Sequence, residues 1–147
     1  GVTGVQTCAL PIYSDKYVYM DLGNICLCDS IKISYERGLI FSITPFTVDI
    51  VGPDTLQIIK QIPIMNKRKD DPNIFDKCHK VFNTQNFSII CDKTYHIRLF
   101  NKNSFTWKHL GKILENSITK VIEVEEKGYL YIFDNLGFAK ISARLHS

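Results

Sequence analysis

Short runs of apolar, mostly β-branched residues recur along this chain, and each run ends in a cluster of turn-forming residues. Three such runs lie at residues 38–43, 86–91 and 129–133. In residues 47–51 and 95–100, polar and apolar side chains alternate. Short apolar runs and period-two alternation, separated by a few turn residues, are typical of β-strands. The pattern therefore predicts an all-β chain.

The runs repeat at a regular spacing. They open at Gly38, Asn86 and Gly128, which lie 48 and 42 residues apart, and they close six residues later at Thr44, Asp92 and Asp134. A period in the forties with about four strands per repeat is typical of β-propeller blades. One four-stranded sheet cannot bury both of its faces alone, so it stacks against neighbouring sheets. We therefore predict an incomplete β-propeller of four-stranded antiparallel blades, in which some strands are buried on both faces.

The repeats place blades at about residues 31–65, 79–114 and 118–147, with residues 13–30 as the remnant of a preceding blade. Residues 66–73 form the longest polar connection, between the first two blades. Closed propellers have about four to eight blades. We therefore expect residues 13–147 to be part of a propeller, and the natural protein to continue beyond both ends.

Residues 89–101 resemble the central motif of WD-repeat propellers, in which an apolar strand leads through an Asp-containing turn into a strand that ends in an aromatic residue. Asp92 matches the Asp that ties down the turn in that family, and Phe100-Asn101 stands where its Trp-Asp dipeptide would be. Residues 134–141 repeat the motif weakly. No copy contains Trp-Asp or the family's Gly-His opening, and residues 47–62 also resemble blades of other propeller families. The resemblance implies a WD-repeat-like fold.

Residues 1–12, GVTGVQTCALPI, require a separate interpretation. They have neither the basic start nor the continuous apolar stretch of a secretory leader. They resemble the in-frame translation of a sequencing-library adapter, whose last base fits the first base of the Tyr13 codon. We therefore expect an artefact without evolved packing, and the alternative is a natural amino-terminal loop.

The overall composition is that of an ordinary globular protein, with 45% hydrophobic and 22% charged residues, and it excludes a disordered chain. The net charge of +3 does not by itself indicate a nucleic-acid partner. Residues 67–69 are basic, but Asp70 and Asp71 follow at once, so we interpret them as a solvated loop and RNA contact there as the weaker alternative. Apolar stretches are far shorter than the roughly 20 residues of a membrane-spanning helix, so we expect no membrane partner.

The cysteines do not predict a metal site. Besides Cys8, which belongs to residues 1–12, the chain has Cys26, Cys28, Cys78 and Cys91, and none of them forms a C-x-x-C pair. Zinc sites typically use such closely spaced, repeated ligands. We interpret the cysteines as packed thiols in a reducing compartment and expect a cytoplasmic protein.

Common catalytic motifs do not occur in the chain, and its four histidines are scattered. We interpret Glu123, Glu125 and Glu126 as a solvated edge rather than as an acid/base pair, and Trp107 as a packing residue. We therefore expect no catalytic residues, no metal and no cofactor. The alternative is a fragment of a propeller-type enzyme, hydrolase or quinoprotein-like, whose active-site residues lie outside this fragment.

The favoured function is a protein–protein interaction scaffold, because loops held by a rigid scaffold often carry recognition. The resemblance places the partner surface at the turns of residues 44–46, 92–95 and 134–137. The candidate partner-binding residues are Phe46, Lys93, Tyr95 and Leu136, while Asp92 and Asp134 are assigned to stabilising their turns. The expected partners are other proteins, rather than nucleic acid, a membrane or a small molecule.

Overall fold

The computed structural model describes residues 11–20 and 32–143, and these residues form antiparallel sheets with a short 3-10 helix between two strands of the last sheet. The prediction of an all-β chain is confirmed. The chain divides into two compact units, Gly1–Met65 and Asn66–Ser147.

The first unit contains two sheets. A two-stranded sheet pairs β1 (Pro11–Tyr13) with β2 (Val18–Met20). A four-stranded sheet, sheet 1, follows the chain order β3 (Lys32–Glu36), β4 (Leu39–Ile43), β5 (Thr47–Val51) and β6 (Ile58–Pro63). A polar turn with Thr44 at its start joins β4 to β5. The Thr44 hydroxyl stabilises this turn by accepting hydrogen bonds from the amides of Phe46 and Thr47.

The second unit also contains two sheets. Sheet 2 has four strands in chain order: β7 (Lys80–Asn83), β8 (Phe87–Cys91), β9 (His96–Asn101) and β10 (Thr106–Lys112). Sheet 3 has three strands: β11 (Lys120–Val124), β12 (Tyr129–Phe133) and β13 (Phe138–Ser142), with a 3-10 helix at Glu125–Lys127. Blade-sized antiparallel sheets therefore recur along the chain.

The repeated anchors in the sequence mark equivalent strands. Gly38, Asn86 and Gly128 directly precede β4, β8 and β12, each of which is five residues long. Gly38 and Gly128 have φ values of 75° and 72°, a left-handed conformation that glycine adopts without steric cost. Every residue of β5 and β8 is buried, whereas in β4 residues 41–43 are buried and Leu39 and Ile40 are half-buried, so the predicted burial on both faces holds for all of β5 and β8 and for part of β4.

The core of the second unit lies between sheets 2 and 3. Alternate residues of β8 and β9 project from one face of sheet 2, and they pack against Leu130, Ile132 and Ile141 of sheet 3. The sheet 2 residues in this cluster are Phe87, Ile89, Cys91, Ile97 and Leu99. Because each of these residues is at most 9% exposed, the two sheets share one buried core.

Two local expectations need correction. Tyr95 was predicted to begin a strand, but β9 begins at His96 and Tyr95 lies in the preceding turn with φ 70°. Glu123 is not simply a solvated edge residue, because its carboxylate binds Asn86. Pro11 and Ile12, assigned to the adapter-like segment, pair with Met20 and Tyr19, although the Ile12 side chain is 61% exposed. The origin of residues 1–12 stays a prediction.

Several sequence-based expectations fall on residues outside those that the structure describes, namely residues 1–10, 21–31 and 144–147. Cys8, Cys26, Cys28 and His146 are among them. Within the described ranges, no helix is long and apolar enough to cross a membrane.

Candidate functional site

The turn between β8 and β9, here called the Asp92 turn, is organised by one buried carboxylate. Asp92 is 1% exposed, and its Oδ1 accepts hydrogen bonds from the amides of Thr94 (2.9 Å) and His96 (3.0 Å). The Thr94 hydroxyl donates to the same oxygen at 2.9 Å. Oδ2 accepts from the amide of Asp76 at 3.0 Å. Asp92 therefore holds its own turn together and ties it to the segment that precedes sheet 2.

These donors keep Asp92 ionised. Burial alone would raise the pKa of the carboxyl, but the hydrogen bonds from Asp76, Thr94 and His96 outweigh burial and lower it below its ordinary value. The anion also contacts Nδ1 of His96 at 3.2 Å, and the Thr94 hydroxyl lies 2.7 Å from the same nitrogen. The imidazole is thus fixed by two side chains of the turn.

A buried cation lies behind the turn. The Arg98 side chain is 1% exposed, and its guanidinium lies between the rings of Phe75, 4.7 Å from the centroid, and Trp107, 4.1 Å from the centroid. Its Nη2 donates to the carbonyl of Asn73 at 2.8 Å. A planar cation stacks well on aromatic faces, so Arg98 attaches residues 66–76 to sheet 2.

His109 completes this cluster. Its Nδ1 accepts a hydrogen bond from Nε of Arg98 at 3.1 Å, which requires that nitrogen to be unprotonated. Burial, followed by the electrostatic influence of Arg98 and of His96, lowers the pKa of His109. A neutral imidazole therefore fits both the hydrogen bond and the electrostatics.

Residues 66–75 form an ordered loop with its own hydrogen bonds. Asn66 and Phe75 exchange backbone hydrogen bonds at 2.8 and 2.9 Å, which closes the loop. Inside the loop, the Asp71 carboxylate accepts from the Asn66 amide group and from the backbone of Asn73, both at 2.8 Å. The solvated-loop interpretation fits the exposed pair Arg68–Asp70, but it did not anticipate the loop's defined structure.

A pocket of about 320 Å³ lies between this loop and the Asp92 turn. Its lining residues are Lys67, Lys69, Ile74, Asp76, Asp92, Thr94 and His96. Lys67 lies 3.8 Å from the carboxylate of Asp76, and both side chains are largely solvent-accessible. Because Asp92 is saturated with donors and Lys67 and Asp76 pair with each other, Lys69 and the imidazole of His96 are the remaining polar groups of the lining that can meet an incoming anion.

The predicted partner-binding residues occupy three turns. Lys93 is exposed in the Asp92 turn, and Tyr95 is half-buried there, with Nζ of Lys112 lying 6.0 Å from the centroid of its ring. Leu136 is 83% exposed in the β12–β13 turn of the same unit. Phe46 is half-buried in the β4–β5 turn of the first unit.

Asp134 organises the β12–β13 turn as Asp92 organises its own. Its Oδ1 accepts hydrogen bonds from the amides of Leu136 (2.8 Å) and Gly137 (2.7 Å). These bonds lower the pKa of Asp134. The turn thereby presents Leu136 to solvent in a fixed backbone.

Sequence reasoning missed Lys67, Lys69, Arg98 and His109 as members of one site. Loop closure brings the lysines to the pocket, and no local pattern specifies where such a loop folds back. The Asn and Asp residues at positions 66, 71 and 73 were the available signal, since short polar side chains stabilise turns.

The thiol of Cys91, the residue that precedes Asp92, is not activated as a nucleophile. Burial, together with the negative charge of Asp92, raises the pKa of Cys91 to about 12. The thiol therefore stays protonated at neutral pH and lacks the thiolate that nucleophilic chemistry requires. Among the described residues, no cluster of three or more His, Cys, Asp or Glu side chains could hold a metal ion.

Comparisons of this chain with protein-family models, with curated proteins and with solved structures found no match.

Proposed function

We propose that this chain is a protein–protein interaction scaffold, a WD-repeat-like propeller fragment of a larger cytoplasmic protein, and that the Asp92 turn and its pocket bind the partner. One observation supports this most strongly: a turn fixed by a saturated, buried Asp92 presents Lys93 and Tyr95 next to a lysine-lined pocket. A surface that is already ordered loses little conformational entropy on binding.

The chemistry of the pocket favours an acidic segment of the partner. A carboxylate entering the pocket would meet Lys69 and would share Lys67 with Asp76, with the ring of His96 beside them and Ile74 as an apolar wall. Tyr95 adds an aromatic contact, a residue type that often dominates binding energy at interfaces. Leu136 supplies an exposed apolar contact from the β12–β13 turn. Phe46 would contact the partner from the β4–β5 turn of the first unit.

The cysteines are compatible with a reducing compartment. Neither Cys78 nor Cys91 forms a disulfide in the described part of the chain. Disulfides are rare in the cytosol, so the proposed cytoplasmic location agrees with this state.

Affinity purification with quantitative mass spectrometry tests the proposal. The wild-type chain is compared with the double variant Lys67→Ala/Lys69→Ala and with Tyr95→Asn, because asparagine tolerates the positive φ of position 95. Lys127→Ala, at an exposed lysine in the 3-10 helix, is the matched control.

We expect one set of proteins to be retained by the wild type and the control and lost by both pocket variants. Equal retention by all four chains would contradict the assignment of the Asp92 turn and its pocket as the binding surface.

A further inference from the structure

Arg98 attaches the segment of residues 66–76 to sheet 2. Its Nη2 donates to the carbonyl of Asn73 at 2.8 Å, and its guanidinium lies 4.7 Å from the centroid of the Phe75 ring. The hydrogen bonds inside the segment close it on itself and do not reach the sheet. The position of the segment on sheet 2 therefore depends on how the Arg98 side chain is held.

His109 of β10 contacts both partners in this attachment. Its Nδ1 accepts the hydrogen bond from Nε of Arg98 at 3.1 Å. Its ring meets the ring of Phe75 edge-on, at a centroid distance of 6.5 Å, and Phe75 is 0% exposed. A change in the charge of this imidazole therefore acts at the point where the segment is attached.

The surroundings of both ring nitrogens of His109 disfavour a second proton. A protonated Nδ1 would direct an N–H group at Nε of Arg98, which is itself a donor. Nε2 is buried and has no hydrogen-bond partner among the described residues, so a cationic ring would find no acceptor there. A buried charge without a compensating hydrogen bond is strongly unfavourable. The attached segment therefore requires the neutral imidazole.

Charged and titratable groups from three elements face His109. Arg98 and His96 lie on β9, Asp92 lies in the turn before β9, and Asp71 lies in the attached segment. The two carboxylates favour the protonated ring, but burial, followed by the influence of Arg98 and His96, outweighs them and lowers its pKa. Release of the segment would remove Asp71 as well as the burial. Because burial is the largest of these influences, the released ring should bind its proton more tightly.

We propose that His109 is a pH-dependent switch, in which uptake of one proton from solvent at Nδ1 releases residues 66–76 from sheet 2 while sheets 2 and 3 stay folded. Protonation deprives Nε of Arg98 of its acceptor and places a second cation beside the guanidinium. The core shared by the two sheets uses Ile97 and Leu99, which project from the opposite face of β9 to Arg98. The segment can therefore leave without disturbing that core.

Release would dismantle the pocket beside the Asp92 turn. Lys67, Lys69, Ile74 and Asp76 of its lining all belong to the released segment. Binding of a partner in the pocket should then weaken as the pH falls. This consequence rests on the proposed function, whereas the release itself does not.

The direction of the pH dependence follows from the two states of the ring. The released ring should titrate near its ordinary pKa of about 6.5, and the attached ring below that value. The attachment is thus fully stable above about pH 6.5 and weakens as the pH falls toward the lowered pKa. The pKa of Asp92 lies below its ordinary value, so this carboxylate stays ionised between about pH 5 and 8 and does not contribute in that range.

Hydrogen exchange at the Asp76 amide measures the release. This amide donates to Oδ2 of Asp92 at 3.0 Å while the segment is attached, and the amides of β8 report on the sheets in the same experiment. Exchange is followed by NMR between about pH 5 and 8, with correction for the intrinsic pH dependence of exchange. The chains are wild type, His109→Gln, whose oxygen can still accept from Arg98 but does not titrate, and His79→Gln as the histidine control.

We expect the protection of the Asp76 amide in wild type and His79→Gln to be constant above about pH 7. Below about pH 6.5 it should fall by up to tenfold for each pH unit, the limit for uptake of one proton, while the β8 amides stay protected. In His109→Gln the protection should not change with pH. The imidazole ¹⁵N resonances of wild-type His109 should show the proton on Nε2 at pH 8 and a titration midpoint below about 6.5, a result that does not depend on the folding of any variant.

Three outcomes would overturn the proposal. The first is an equal loss of protection in all three chains, because another group would then carry the pH dependence. The second is a wild-type Asp76 amide whose protection does not change with pH, or a His109 that titrates at or above its ordinary value. The third is a joint loss of protection by Asp76 and β8, because the whole unit would then unfold. Release combined with unchanged affinity for a purified partner would support the switch and contradict the pocket as the binding surface.

Discussion

The Glu123 carboxylate of sheet 3 accepts two hydrogen bonds from Asn86, the residue just before β8 of sheet 2. Oε2 accepts from the side-chain Nδ2 at 2.6 Å, and Oε1 accepts from the backbone amide at 3.1 Å. Asn86 is only 6% exposed. The backbone carbonyl of Asn86 accepts a hydrogen bond from the backbone amide of Lys102 at 2.8 Å. One residue pair thus joins the two sheets beside their shared apolar core.

Removing this carboxylate should destabilise the second unit. We expect Glu123→Ala to lower the free energy of unfolding by about 1–3 kcal/mol, because two buried donors lose a charged acceptor. Urea unfolding measures the effect, with Glu126→Ala at an exposed glutamate of the 3-10 helix as the control. If the two variants unfold at the same midpoint, the pair does not join the sheets energetically.

Asp92→Asn should also destabilise the chain, by about 1–3 kcal/mol at neutral pH, because amide donors that now meet a carboxylate would meet a weaker or mismatched partner. Asp70→Asn, at an exposed loop aspartate, is the control. Urea unfolding again gives the measurement. An unchanged midpoint together with lost partner binding would mean that Asp92 is a binding residue rather than a structural one.

The contribution of Asp92 should depend on pH in the acidic range. Folding lowers the pKa of its carboxyl, so the unfolded chain takes up the proton first as the pH falls. The stabilisation is complete above the unfolded pKa of about 3.9 and is lost as the pH falls through the folded pKa. The difference in unfolding free energy between wild type and Asp92→Asn should therefore shrink below about pH 4. A difference that stays constant down to pH 2.5 would contradict this.

The contribution of His109 to stability should depend on pH in a higher range than that of Asp92. Folding lowers the pKa of its imidazole from 6.5, so protonation favours the unfolded chain. Protonation would also place a proton on the nitrogen that accepts from Arg98. Stability should be greatest above about pH 6.5 and fall as the pH drops below that value.

The variant His109→Gln isolates this effect, because a glutamine oxygen can accept from Arg98 and does not titrate. We expect the variant to lose the part of the pH dependence that the wild type shows as the pH falls below about 6.5. His79→Gln serves as the histidine control. Identical slopes for wild type and His109→Gln would show that His109 titrates normally in the folded chain.

The repeated strands could be predicted because their causes are local. Gly38 and Gly128 supply the left-handed conformation before their strands, and Asp92 and Asp134 accept amide hydrogen bonds just after them. Such residues act within a few positions of themselves, so spacing along the sequence reveals them.

The pocket could not be predicted, because its cause is not local. Lys67 and Lys69 reach His96 through a loop that Arg98 attaches to sheet 2 by its contact with Phe75, a residue more than twenty positions away in the sequence. In the same way, a basic residue in the middle of β9 gave no indication that its charge would be buried. The Glu123–Asn86 pair was missed for the same reason, since its partners lie 37 positions apart.

The most direct test of the proposed function compares binding and stability in one variant. Tyr95→Asn is expected to weaken binding of the purified partner by at least tenfold, about 1.4 kcal/mol, as measured by isothermal titration calorimetry. Its free energy of unfolding in urea should stay within about 0.5 kcal/mol of the wild type, because the ring is half-buried and asparagine accepts the backbone conformation. Unchanged affinity, or an affinity that falls only in proportion to lost stability, would contradict the assignment of the Asp92 turn as a protein-binding surface.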